Sequence, residues 1–132
     1  MTFLRTLPLL LATVLLQACE RDDTRPTVNP TIEFRTEAGY TFNNATVTVG
    51  DTLLVGVVIK RGTDAMNHFK VARRYDNGPE EVTDSLSMGT DVFEFDKTIV
   101  IRDVPGTELW RFNVVENDGD VIRRSLTFTV EE

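Results

Sequence analysis

The chain has 132 residues, with 14 Lys and Arg against 21 Asp and Glu, a single Cys and a single His. One core usually serves about 100–150 residues, so this length implies one folded domain. The net charge of -7 argues against non-specific nucleic-acid binding and against charge-driven adsorption to anionic lipid, and one cysteine excludes an internal disulfide.

The first element is a leader over residues 1–18. Arg5 is a positive flank, and Leu7 to Leu16, broken only by Pro8 and Thr13, is an apolar run of signal-peptide length. A spanning helix needs about 20 apolar residues, whereas Gln17 and the Glu20-Arg21-Asp22-Asp23 tetrad end this run early. An uncleaved anchor is the competing reading. Leu16-Gln17-Ala18-Cys19 resembles the lipobox of bacterial lipoproteins, with an aliphatic residue three positions before Cys and a small one directly before it. Gln17 departs from the usual small or aliphatic choice. The resemblance implies cleavage before Cys19, diacylglycerol on its sulfur and acylation of the new amino group. Two or three acyl chains, at about 0.8 kcal/mol per buried CH₂, would hold the chain stably at a membrane. A buried core cysteine fits poorly, because polar residues follow and no strand or helix period includes Cys19.

Residues 19–30 read as a tether. Glu20, Asp22 and Asp23 resemble the acidic export signal of Bacteroidetes surface lipoproteins, which implies an outward-facing domain on the outer membrane; an ordinary solvated linker has the same composition and would leave it facing the periplasm. Pro26 and Pro30 bias their neighbours to extended backbone, giving a reach on the order of 30 Å.

From Thr31 to Glu132, short runs alternate apolar with polar residues between turn residues, which predicts an all-β domain. Ile32 and Phe34, then Val47 and Val49, read as a split first strand. Leu53, Val55, Val57 and Ile59 share one face, and Leu54 and Val58 on the other make this strand central in its sheet. Phe69, Val71 and Tyr75 form an inward row that leaves His68, Lys70 and Arg74 outward. A short strand is expected at Glu81 to Thr83. Phe93, Phe95, Ile99 and Ile101 point inward, with Lys97 in the same phase as the exception. Trp110, Phe112 and Val114 follow, then a turn at Glu116 to Asp120 whose Asp118-Gly119 step suits positive φ, then Ile122, Leu126, Phe128 and Val130. Seven or eight such strands over about 100 residues fit an immunoglobulin-like, two-sheet antiparallel sandwich.

Phe112 to Gly119 with Leu126 to Val130 resembles the last hairpin of PKD-like and other bacterial immunoglobulin-like modules. Thr31 to Tyr40 with Val47 to Thr52 is similar to small Bacteroidetes lipoproteins of that class. These motifs are structural, and the resemblance carries no functional residue with it.

Chemistry-bearing residues are sparse. His68 is the one histidine, and Ser85, Ser87 and Ser125 lack a nucleophile-elbow sequence, so a solvated strand histidine accounts for it better than a catalytic one. Zinc lacks a ligand set. Asp118 and Asp120 beside Asn117 offer oxygens to calcium without matching the EF-hand loop; a polar hairpin turn accounts for all of these residues and is the preferred reading. Glu80 and Glu81, adjacent on a strand, point to opposite faces and do not flank one bond as a glycosidase pair must. Tyr40, Phe42 and Tyr75 are the aromatic candidates for ligand contact, against simple core or edge packing. The expectation is a non-enzymatic, lipid-anchored envelope module for interaction or spacing, with no metal or cofactor and an unidentified protein or glycan partner. The alternative is a glycan-binding accessory lipoprotein of a polysaccharide-uptake system.

Overall fold

The computed structural model describes residues 26–132. The leader, the lipobox Leu16-Gln17-Ala18, lipidation at Cys19 and the export signal at Glu20, Asp22 and Asp23 lie outside the described residues.

Alternating sequence builds eight strands, and no helix occurs among the described residues. They are β1 (Thr31–Phe34), β2 (Ala45–Thr48), β3 (Thr52–Lys60), β4 (Met66–Tyr75), β5 (Glu80–Ser87), β6 (Val92–Val100), β7 (Gly106–Glu116) and β8 (Val121–Glu131). A three-stranded sheet runs β1-β3-β6, and a five-stranded sheet runs β2-β8-β7-β4-β5. The predicted split of the first strand is a change of sheet: β1 pairs antiparallel with β3, and after the crossover β2 pairs parallel with β8. Strand β3 is central in its sheet, as its doubly apolar pattern requires. The two sheets face each other as an immunoglobulin-like sandwich.

The inward rows close the core. Val55, Val57 and Ile59 from the smaller sheet meet Phe69, Val71, Phe112, Val114 and Phe128 from the larger one, all of them fully buried. Phe69 bridges to Phe93 and Phe95 with ring centroids 5.4 and 5.1 Å away. Burial of each such side chain contributes about 1.5–3 kcal/mol, which offsets the ordering of the backbone without any disulfide.

Strand β5 is longer than the sequence suggests, Glu80–Ser87 rather than Glu81 to Thr83. It is an edge strand that carries polar residues on both faces, so its period is masked, and a bulge between Val71 and Ala72 of β4 shifts its register. Lys97 holds the inward phase of β6. Its ammonium reaches Asp84 of β5 at 2.8 Å and lies 6.0 Å from the Trp110 ring centroid, so one ion pair closes the gap between the two sheets.

The tether's last residues are not free. Pro30 is buried, Val28 N–H donates to Thr63 Oγ1, and Thr63 N–H donates to the Val28 carbonyl, both at 2.8 Å. Gly62 makes this approach fit, since a Cβ there would collide with the Val28 carbonyl oxygen.

Candidate functional site

Strand β7 carries an inward row in which Glu108, Trp110, Phe112, Val114 and Glu116 alternate with outward residues. Period-2 geometry therefore sends a glutamate into each end of the sandwich, and the two acids fare differently. Glu108 is fully buried, but its Oε1 accepts from the Arg102 N–H at 3.0 Å and its Oε2 from Trp110 Nε1 at 3.1 Å. Glu116 is 1 % exposed, and among the described residues neither of its carboxylate oxygens has a hydrogen-bond partner.

The surroundings of Glu116 are acidic. The β7–β8 turn is fixed by Gly119 N–H to the Glu116 carbonyl and Glu116 N–H to the Asp120 carbonyl, while Asn117 N–H donates to the Ala65 carbonyl in the β3–β4 connection. That last bond sets the two loops side by side, and one carboxylate oxygen from each of Asp64, Glu116 and Asp118 lies within 4.8 Å of the others. Burial first, then the nearby charges of Asp118, Asp64 and Asp120, raise the Glu116 carboxyl above its ordinary range. The turn donors predicted from sequence were Asp118, Asp120 and Asn117; the structure keeps Asp118 and supplies Asp64 and Glu116 in their place. Glu116 was legible as the end of an apolar row with an acid in phase, but Asp64 arrives only through the loop pairing.

Of the predicted aromatic candidates, Tyr40 and Phe42 lie in the β1–β2 connection and Tyr75 ends β4. Tyr40 lies on the outer face of the smaller sheet over Gly56, its hydroxyl donating to Asp96 at 2.9 Å, with the Arg35 guanidinium 5.7 Å from the ring centroid. The bond to Asp96 is the main reason its phenol stays protonated above the usual range. A Cβ on Gly56 would stand 2.6 Å from the Tyr40 ring, so only glycine admits this packing. Tyr75, at the end of β4, has the guanidinium groups of Arg73 and Arg102 over its ring at 5.0 and 4.7 Å. Phe42 is 37 % exposed in the β1–β2 connection.

His68 bonds Ser85 Oγ through Nε2 at 2.5 Å across the β4–β5 pair. Among the described residues no carboxylate bonds the imidazole, and the pair lies on an open sheet face. Glu80 and Glu81 separate as expected, Glu80 to Arg111 and Glu81 to Arg73.

The outer face of the larger sheet gathers cations. The registers place Lys70 opposite Asn113 and Asn113 opposite Arg123, while Ala72 stands between Val82 and Arg111, and Arg74 opposite Glu80. Lys70, Arg123 and Asn113 surround a depression of about 200 Å³ floored by Ala72 and walled by Val82, Val115 and Val121. Val82 and Val121 are 55 % and 44 % exposed. Glu80, paired with Arg111, is the carboxylate in this depression.

No family model matches this chain, and no curated protein matches it. Among solved structures, one of murine CRIg is similar with a TM-score of 0.39 and 9 % identity, over 80 % of this chain and all of that one.

Proposed function

We propose that the chain is a lipid-anchored, non-enzymatic module of the bacterial envelope that presents the outer face of its five-stranded sheet to an acidic partner. The observation that carries this reading is the charge arrangement: an acidic protein concentrates Lys70, Arg74, Arg111 and Arg123 on one sheet face around exposed valines. Apolar surface rimmed mostly by positive charge, with Glu80 the one acid among the residues that line it, suits a recognition surface, the charge steering encounter and the apolar centre holding the complex. The lipobox resemblance at Leu16 to Cys19 supports the anchor, and the open setting of His68 and Ser85 supports the absence of catalysis. A glycan platform is less well supported, because Tyr40 and Tyr75 are engaged by Asp96 and by arginines.

The test has two arms. Labelled palmitate should be incorporated by cells expressing the wild-type chain and not by those expressing Cys19→Ser, with the variant released from the membrane fraction. A photo-crosslinking residue at Arg123 should then capture a partner that the same residue at Glu33, on the other sheet, does not, and Lys70→Glu should reduce that capture at least fivefold. Equal capture from both faces overturns the recognition reading, and unlabelled wild type overturns the anchor.

A further inference from the structure

We propose that Asp64, Glu116 and Asp118 form a binding site for a divalent cation of the calcium type, joining the β3–β4 connection to the β7–β8 turn. The three carboxylates come from the β3–β4 connection, the last residue of β7 and the β7–β8 turn, which meet at one end of the sandwich with ligand oxygens within 4.8 Å of one another. Grouped acids alone are common on protein surfaces. What distinguishes this group is Glu116, which is 1 % exposed and whose two oxygens meet no hydrogen-bond donor among the described residues.

Buried carboxylates are normally paired or bonded, because water is removed from a charge that nothing replaces. Strand β7 shows the ordinary solution at its other end, where Glu108 accepts from Arg102 and Trp110. At Glu116 the charged neighbours that raise its carboxyl are all acids, and the one nearby guanidinium on this loop, that of Arg61, is engaged by Asp91. A metal ion is the counter-charge that the geometry lacks.

The donor chemistry selects the ion. Carboxylate oxygens with no imidazole or thiolate favour hard cations over zinc or copper. Ligands carried on two loops and a strand end, one of them the exposed Asp118, leave positions for water and allow irregular coordination, which suits calcium better than the strict octahedron of magnesium. Asp118 is prepared for this, because its Oδ1 accepts the Asp120 N–H at 3.0 Å and so fixes the carboxylate. Sites with so few protein ligands fall in the weak class of extracellular modules, with Kd of about 10⁻⁴–10⁻³ M.

The experiment is calcium titration of the purified full chain in mild detergent, by calorimetry and by thermal melting. Calcium at about 10 mM should raise Tm by roughly 5 °C or more over chelator, with a saturable heat. Glu116→Gln should abolish the Tm shift, and Asp118→Asn, an exposed turn substitution that preserves the fold, should weaken binding about tenfold. The proposal is overturned by an absence of binding in wild type, by an equal shift in Asp118→Asn, or by the same shift from sodium chloride at matched ionic strength. An equal shift with magnesium overturns the choice of ion.

Discussion

Two glutamates on one strand show how much a side chain's partners matter once water is gone. Glu108 costs little because two N–H groups meet it, whereas the charged groups that raise the Glu116 carboxyl are all acids. Since folding raises the Glu116 pKa above its ordinary 4.5, the folded state holds a proton that the unfolded state has released across that window. Stability therefore falls as pH rises from 4.5 through the raised value, and the penalty is complete above it. Asp76 has the opposite sign: the Thr107 N–H, then Arg102, hold it below 3.8, so its stabilisation is present above 3.8 and disappears as pH falls through the lower folded value. In chelator the wild type should melt highest in mildly acid buffer. Glu116→Gln should flatten the decline toward neutrality and add about 1–2 kcal/mol at pH 7, the gain being limited by the amide that remains buried. Chemical denaturation at three pH values checks this.

At the scale of elements, what the sequence made legible was decided by burial. Rows such as Leu53 to Ile59 and Trp110 to Val114 alternate because one side faces a dry core, and each became the expected strand. Strand β5 escaped notice in part because an edge strand with exposed Ser85, Leu86 and Ser87 has no such contrast. Lys97 stands in the pattern as the polar exception of an inward row, and its partner, Asp84, is one that no local pattern could supply. Of the acidic cluster, Asp118 was visible as a turn donor, and Asp64 was not, because it lies 52 positions from Glu116 in the numbering and is brought near by a backbone bond from Asn117 to Ala65. The Lys97–Asp84 pair, 21 % and 24 % exposed, also defines a prediction. Asp84→Asn should cost about 1–2 kcal/mol by leaving the ammonium half-buried and unpaired, less than for a fully dry pair because solvent screens it. The double substitution Asp84→Val with Lys97→Met should recover most of that loss, as measured by urea midpoints.

For the whole molecule, the docked segment Val28 to Pro30 fixes where the chain enters the sandwich. It joins the sandwich at the β3–β4 connection, whereas Val49 bonds the Glu131 carbonyl at the far end of β8. Gly62→Ala should expel Val28 from its seat and expose residues 26–30 to cleavage, without a large fall in the melting of the sandwich. Limited proteolysis followed by mass spectrometry would show faster cutting in the variant, and equal rates would mean the seat does not hold in solution.

The reciprocal Val28–Thr63 bonds have a mechanical corollary. In a domain anchored through its N-terminal leash, drag on the body would load this pair first, and then the four-residue ladder of β1 against β3, rung by rung. Thr63 adjoins Asp64, so a cation clasping that loop to the β7–β8 turn would stiffen the molecule where traction enters. Optical-trap unfolding from the leash should then begin at higher force in calcium than in chelator.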